Sequence, residues 1–378
     1  MAREFQFPNP PPKRLPSLDG LRAVSIGLVV AGHLAATCPE FPGKLRAVQH
    51  VLFANAELGV ACFFVISGFL ITHLLLEEMD TWGGISLYNF YVRRVTRIFP
   101  AFYAYLFFIS ALAAAGTVSV SRTELLSAAL FAWNYVPSAH AWWLGHTWSL
   151  SVEEQFYILW PATLLALGRR KARRLALAII VMEPLIRLLT YQLLPEFRAR
   201  LNLMLHTRAD TLMFGCLLAL EKERWFRARL DFLRNPLFFL ASGSYLLMVD
   251  PWLTFRFRGA YYLPFGFSLE GAVLALILVS LVRYPESSPG RVANWRPVVW
   301  LGLVSYSLYL WQQVFLTDLN HTVLGRTPFN IACALGVAAL SYYWIELPGI
   351  ALRKAFSRPR MAPPQELFAE AAAARLDN

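Results

Sequence analysis

The feature that most constrains this chain is a series of long apolar stretches separated by short segments rich in lysine and arginine. Of its 378 residues, 57% are hydrophobic and only 16% are charged, and the mean hydropathy is +0.46. Water-soluble domains carry about 25% charged residues, so this composition suits a bilayer, whose interior does not hydrate charge. The sequence predicts an all-α, polytopic integral membrane helix bundle in a cell (inner or plasma) membrane.

Ten stretches are apolar enough to be membrane-spanning helices, and together they predict a transmembrane domain over residues 15–348. Two of them, 208–220 and 235–250, are shorter than the ~20 residues that a span needs, so hydropathy does not define the ends of these two spans precisely. Residues 1–14 and 349–378 are predicted to be cytoplasmic tails. The predicted spans are 15–37, 55–76, 98–118, 147–167, 174–194, 208–220, 235–250, 262–282, 297–318 and 328–348.

The distribution of basic residues decides between two topologies, because the apolar segment 124–136 could add an eleventh span. With ten spans, both termini cytoplasmic and 119–146 as an external loop, 24 of the 35 lysines and arginines lie on the cytoplasmic side and eight lie outside. Cytoplasmic loops carry an excess of positive charge, and an eleventh span would move the basic cluster at 169–174 outside. The ten-helix topology is therefore preferred.

Charge and cysteine content exclude other classes of protein. The formal net charge of +11 suggests a nucleic-acid partner, but the basic residues lie in short clusters between apolar stretches, as in loops that face an anionic membrane surface. The four cysteines have no metal-ligand spacing, which predicts neither a metal site nor a disulfide framework. The first apolar stretch contains Asp19, Arg22 and His33, and these argue against a cleaved signal peptide.

The first helix carries a polar stripe. Ionisable side chains within a span are costly and commonly functional. Arg22 and His33 are eleven residues apart, so they differ by about 20° around a helix and about 16 Å along it, and Asp19 lies near the same stripe. The alternative is that His33 is a buried, hydrogen-bonded residue and that Arg22 and Asp19 form a pair that only locks helices together.

Depth in the membrane predicts a partner for His33 near the outer end of the first helix. Glu153, about two turns into the fourth helix, is expected at a similar depth, where a histidine and a carboxylate form a general-base dyad. The carboxylates of Glu153 and Glu154 could instead be structural, and only one of two adjacent helical residues is expected to face the site; Glu153 is preferred. Arg208 and Asp210 also fall near the outer end of their helix, which predicts a polar pocket there.

A basic cluster lies at the predicted cytoplasmic mouth of the bundle. Arg94 and Arg97 are three residues apart and share one face of a helix, and Arg93 lies beside them. Three guanidinium groups make a suitable phosphate clamp. The charge is also consistent with membrane anchoring or with contacts to lipid headgroups.

Two further groups carry a weaker signal. Ser67 and Gly68 are small residues in the middle of a helix, more typical of close helix packing than of catalysis, although Ser67 is also a candidate pocket residue. Glu183 and Arg187 are four residues apart, which predicts an internal ion pair.

Six motifs that occur in order along most of the chain resemble those of the acyltransferase-3 family of membrane-bound O-acyltransferases. Each is weak alone, but six in order are highly specific. One departure is Gln312, where many members have histidine, so the resemblance assigns no role to that position. The motifs are LDGLRA (18–23) with His33, FFVISGFL (63–70), RRVTRI (93–98), TWSLSVEEQFY (147–157), RAD (208–210) and SYSLYLW (305–311).

The resemblance implies the stand-alone form of such an enzyme, without the C-terminal soluble domain of the longer form. Acyl-CoA, with acetyl-CoA as the first choice, is implied as co-substrate from the cytoplasm, and no bound cofactor. Its phosphates would meet the three arginines of the basic cluster, and its pantetheine arm would pass Arg22. His33, oriented by Glu153, would deprotonate the hydroxyl of a glycan, a glycolipid or a small molecule. A covalent acyl-enzyme is an alternative.

The main rival interpretation is a transporter or flippase in which buried histidine, glutamate and arginine residues form a proton or ion pathway. The sequence has no internal repeat of fixed period, which argues against it. A non-enzymatic structural membrane protein is a third alternative, and it leaves the predicted polar pocket unexplained.

Overall fold

Every regular element is a helix in the part of the chain that the computed structural model describes, residues 15–358 apart from 16, 36, 41 and 44. The predicted tail 1–14 and residues 359–378 of the predicted C-terminal tail lie outside the described residues. The α-helices are α1 Leu18–Leu34, α2 Leu45–Phe53, α3 Ala56–Trp82, α4 Leu87–Ala114, α5 Arg122–Ala129, α6 Trp142–Gly145, α7 Thr147–Leu193, α8 Leu205–Leu220, α9 Lys222–Arg227, α10 Pro236–Ser244, α11 Asp250–Phe257, α12 Gly259–Tyr261, α13 Phe267–Arg283, α14 Ser288–Ala293, α15 Arg296–Phe315, α16 Phe329–Ser341 and α17 Leu347–Phe356.

The long apolar stretches form the long helices. A helix lies at each of the ten predicted spans, and π-helical turns join α10 to α11, α12 to α13 and α16 to α17. The all-helical membrane bundle is supported, whereas the number of ten spans and the cytoplasmic termini stay predictions. Among the described residues, six helical stretches are long and apolar enough to cross a membrane: Ala56–Trp82, Leu87–Ala114, Trp142–Leu193, Pro236–Phe257, Gly259–Arg283 and Phe329–Phe356.

The longest helix, α7, is broken at Gly168. Its 47 residues would measure about 70 Å if straight, more than twice the ~30 Å hydrocarbon core of a bilayer. Gly168 has φ 67° and ψ 170°, a conformation open to glycine because it has no Cβ. Glu153 contacts α3 through Ser67, and Arg187 contacts α8 through Asp210. Gly68, next to Ser67, lies against Leu212 near Asp210, so Glu153 and Arg187 are at a similar level on either side of the break. The two halves of α7 therefore run in opposite directions, as the predicted fourth and fifth spans require.

The segment 119–146, predicted to contain no span, holds only short helices. The eight residues of α5 measure about 12 Å, far less than the bilayer core. Glu124 fixes the segment's shape by accepting hydrogen bonds from Ser121, His140 and Ala141. Burial alone raises the pKa of Glu124, but these hydrogen bonds outweigh it and lower the pKa to about 2. The carboxylate therefore stays ionised at neutral pH and holds the chain just before α6.

Glycines set the spacing of the helices that build the centre of the bundle. A Cβ on Gly302 of α15 would lie 1.8 Å from the carbonyl oxygen of Asp19 in α1, and a Cβ on Gly68 of α3 would lie 2.0 Å from that of Leu212 in α8. Small residues allow helix backbones to approach in this way in membranes. The close contact aligns α1 with α15 along their length, with Asp19 beside Gly302 at one end and His33 beside Gln312 near the other.

The predicted topology has a direct test at exposed positions. In a background lacking the four native cysteines, Ser138→Cys should react with an impermeant thiol reagent added to intact cells. Lys171→Cys, next to the Gly168 reversal, should react only after the cells are opened, because the ten-helix topology places it inside. Labelling is measured by mass shift on a gel. Labelling of Lys171→Cys in intact cells would contradict the topology.

Candidate active site

A cavity of about 90 Å³ lies inside the bundle among α1, α3, α4, α7 and α15. The side chains that line it are mostly polar or aromatic. They include Arg22, Phe63, Phe64, Ser67, Arg94, Arg97, Ser149, Glu153, Glu154, Tyr157, Ser305, Tyr306 and Tyr309.

Two of the three arginines in the predicted basic cluster line this cavity. Arg94 and Arg97 share one face of α4, as their spacing predicted. The guanidinium of Arg94 lies 5.3 Å from the ring centre of Tyr157, a cation–π contact. Arg93 does not line the cavity: it is bonded to Glu78 at 2.8 Å. Neighbouring residues on a helix point about 100° apart, so the prediction that all three form one clamp is not matched by the structure.

Both adjacent glutamates reach the cavity, although only one was expected to. Glu153 accepts a hydrogen bond from Ser67 Oγ at 2.6 Å, and the Tyr157 hydroxyl donates to the same Ser67 oxygen at 3.3 Å. Glu154 is buried, and its Oε1 has no hydrogen-bond partner among the described residues. The expectation that Glu154 points away was wrong, because long side chains at adjacent positions can border one wide cavity from two sides.

Arg22 lines the cavity. It also pairs with Asp19, as the alternative interpretation of the polar stripe on α1 predicted. Arg22 Nη1 is 3.3 Å from Asp19 Oδ1. This pair anchors the guanidinium in the wall of the cavity that Arg94 and Arg97 also line. Three guanidinium groups therefore face one space, although one of them is Arg22 and not Arg93.

His33 is held by Gln312 rather than by a carboxylate. Its Nδ1 is 2.8 Å from Gln312 Oε1, and its ring meets that of Trp142 edge-on with centres 5.4 Å apart. With the Gln312 amide in this orientation its carbonyl oxygen accepts, so Nδ1 donates the proton and Nε2 presents its lone pair. This is the tautomer that a general base needs. The residue that orients His33 is thus the one position where the sequence departs from the resembled motif.

The hydrogen-bonded dyad of His33 and Glu153 is not present, because the two residues lie at different depths. The start of α7 is level with the His33 end of α15: His146 N donates to Gln313 Oε1 at 3.3 Å, and Tyr309 OH donates to His146 O at 3.0 Å. Glu153 is seven residues further along α7, about 10 Å deeper. The predicted matched depth was wrong.

Several hydroxyl groups that the sequence patterns had not singled out also line the cavity. Ser149 Oγ and Tyr309 OH are 2.5 Å apart, and Ser305 and Tyr306 also face the space. All four lie inside two of the six motifs, TWSLSVEEQFY and SYSLYLW. The motifs therefore carried the signal, but periodicity alone could not separate these residues from aromatic packing.

Arg208 and Asp210 do not line the cavity. Asp210 is ion-paired with Arg187, and both side chains are 0% exposed. The pair predicted between Glu183 and Arg187 was therefore wrong, and Glu183 accepts a hydrogen bond from Ala209 N instead. Arg208 lies over the ring of Phe267 at 4.4 Å, and its guanidinium nitrogens have no hydrogen-bond partner among described residues.

Comparisons with known proteins agree with the architecture. A family described as an acyltransferase domain matches residues 15–345. The chain is 27% identical to the peptidoglycan O-acetyltransferase OatA of Listeria monocytogenes, 30% identical to the putative peptidoglycan O-acetyltransferase YrhL of Bacillus subtilis and 29% identical to the O-acetyltransferase OatA of Staphylococcus aureus. These similarities cover 89%, 88% and 89% of this chain and 56%, 54% and 57% of the three relatives. No solved structure matches the chain.

The extent of the match settles the family. The chain spans just over half the length of these relatives, but the family match includes nearly all of the helical bundle and every residue that lines the cavity. The chain belongs to the acyltransferase-3 family.

Proposed function

We propose that this chain is a membrane O-acyltransferase that moves an acetyl group from acetyl-CoA to a hydroxyl of peptidoglycan or a related glycan. Family membership and the acetyltransferase relatives support the reaction class. The observation that carries the proposal is the cavity itself. Three guanidinium groups line it, and on α7 and α15 it includes Ser149 and Tyr309, about one turn from His146 and Gln312. His33 itself does not line the cavity.

The charge of the cavity favours a thioester donor that carries anionic phosphates. The phosphates of CoA would lie against Arg94 and Arg97, which offer charge-assisted hydrogen bonds, and the acetyl end would lie beyond them, toward His33. Arg22 and His33 lie about 16 Å apart along α1, a distance that the extended pantetheine arm follows. Glu153 and Ser67 border this path, and we propose that they hold the charged arginine side chains in position.

The chemistry then needs one base. Nε2 of His33 takes the proton of the acceptor hydroxyl, and the oxygen attacks the acetyl carbonyl carbon. The new C–O bond forms as the C–S bond breaks, CoA leaves as the thiolate, and the imidazolium returns the proton to it. Gln312 keeps the proton on Nδ1 throughout. A carboxylate partner would stabilise the imidazolium more strongly than this neutral amide does.

The arginines provide the test of this proposal. Purified protein should consume labelled acetyl-CoA when a soluble peptidoglycan fragment is added. Arg94→Ala or Arg97→Ala should raise the half-saturating acetyl-CoA concentration about 10- to 100-fold, because a hydrogen bond to a charged group contributes about 1.5–3 kcal/mol. The maximal rate should recover at high acetyl-CoA.

Arg93→Ala is the matched control, since Arg93 is equally basic but bonded to Glu78 outside the cavity, and it should leave that concentration nearly unchanged. Equal effects of all three substitutions on membrane insertion, with normal donor binding, would instead support membrane anchoring. Ion flux through wild-type protein in vesicles, with no consumption of the thioester, would favour the transporter.

A further inference from the structure

A second opening, distinct from the cavity, lies at the end of the bundle where α1 and α15 end. It is an open polar cleft of about 270 Å³, close to the lower end of the range of about 300–1,000 Å³ for small-ligand pockets, which suits a single sugar ring. The side chains that line it include Thr37, Thr317, Asp318, Asn320, His321 and Arg326.

The cleft lies directly beyond the His33–Gln312 pair. Thr37 follows His33 by four residues, just beyond the end of α1, and Thr317 follows Gln312 by five, just beyond the end of α15. The cavity, by contrast, meets α1 at Arg22, on the other side of His33. The cavity and the cleft therefore lie on opposite sides of the His33–Gln312 pair along the bundle.

The frame of the cleft is fixed by hydrogen bonds. Asn330 Nδ2 donates to Thr37 Oγ1 at 2.9 Å, and Thr327 Oγ1 donates to the Thr37 carbonyl at 3.2 Å. Asn320 accepts from the Thr322 hydroxyl at 2.7 Å and donates to the Val314 carbonyl at 3.3 Å. The connection between α15 and α16 is thus tied both to the end of α1 and to the last turn of α15.

The ionisable side chains of the cleft are available for a ligand. Asp318, His321 and Arg326 are exposed, and no hydrogen bond or ion pair joins their side chains to other residues in the described part of the chain. A carboxylate accepts hydrogen bonds from two hydroxyls, and a guanidinium donates up to five in a fixed fork. Such convergent donors and acceptors on a fixed frame suit a neutral, hydroxyl-rich ligand.

We propose that this cleft binds one sugar unit of the glycan acceptor and directs its hydroxyl to Nε2 of His33. The inference rests on the proposed acetyl transfer and adds the acceptor's position to it. Donor and acceptor then enter from opposite ends of the bundle and meet at one histidine. Asp318 and Arg326 set the affinity for the acceptor and leave the donor path unaffected.

Steady-state kinetics with both substrates test this division. The probe is a soluble peptidoglycan fragment of one disaccharide unit, with labelled acetyl-CoA as donor. Asp318→Asn and Arg326→Ala should each raise the KM for the fragment about 10-fold, because each variant loses a charged hydrogen-bond partner of the sugar hydroxyls, and should leave the KM for acetyl-CoA within about two-fold. Leu319→Ala, on the same connection and exposed, is the matched control and should change neither constant.

The outcomes separate the two proposals. An unchanged KM for the fragment in both variants, or an equal rise in both KM values, would overturn the cleft's role although acetyl transfer stands. If wild-type protein consumes no acetyl-CoA, the proposed function fails, and calorimetric titration with the fragment alone decides about the cleft. Saturable binding that Asp318→Asn and Arg326→Ala weaken would support it, and lack of binding to wild-type protein would overturn it.

Discussion

Replacing His33 with alanine is expected to abolish acetyl transfer while leaving expression and membrane insertion intact. The variant loses the nitrogen that takes the acceptor's proton, and loss of a general base slows a reaction about 10²- to 10⁴-fold. The side chain is only partly buried, and its hydrogen bond to Gln312 is to a neutral group, so the helix bundle should tolerate its removal. Initial rates at saturating substrate, normalised to protein in the membrane fraction, measure the effect.

Substitutions at Gln312 separate base chemistry from packing. Gln312→Leu keeps the imidazole but removes the acceptor that fixes its tautomer, so activity should fall less than in His33→Ala. Gln312→Glu restores an acceptor and should recover rate relative to Gln312→Leu. Transfer at the wild-type rate by His33→Ala would exclude His33 as the base, and equal activity of both Gln312 variants would exclude the orienting role.

The largest expected effect on stability comes from Arg187. Its guanidinium is fully buried, is ion-paired with Asp210, and donates to the carbonyl oxygens of Thr207 and Leu263 at 2.9 and 3.1 Å. Arg187→Met leaves the carboxylate of Asp210 buried without its partner charge. Such loss of one member of a buried pair costs about 3–5 kcal/mol. Unfolding in graded denaturing detergent should show a decrease in the free energy of unfolding of that size.

A double substitution tests whether Asp210 has a structural role or acts in the acetyl-transfer site. In Arg187→Met with Asp210→Leu, both charges are gone, and much of the lost stability should return, because replacing a buried ion pair with apolar residues is often neutral. Acetyl transfer should return with it. If the double variant is stable but inactive, Asp210 contributes directly to the reaction, as the sequence pattern first suggested.

Each feature that the sequence predicted well can be read from one stretch of the chain by itself. The positions of the long helices follow from apolar composition, because a bilayer imposes both length and hydrophobicity. The shared face of Arg94 and Arg97 follows from helical periodicity alone. Ser67 was kept as a pocket residue, and the structure places it in the cavity against Glu153.

What the sequence could not predict depends on how two segments align. The depth of Glu153 relative to His33 requires the level at which α7 begins, and that level is set by contacts of His146 with α15. The partner of Arg187 was mistaken for the same reason, since Glu183 is near in sequence while Asp210 is near in space. Hydropathy carries no information about such registers between helices.

The contact between His33 and Gln312 has a consequence for how the protein is made. The two residues are separated by 279 positions, and ribosomes add about 5–20 residues per second, so about 15–55 s pass between their synthesis. Throughout that interval α1, with Asp19, Arg22 and His33 on it, has reached the membrane before its neighbour α15 exists. α3, which packs against α1 at Gly59 and Gly32, is made soon after α1, but the imidazole of His33 has no Gln312 partner until nearly the whole bundle has been translated.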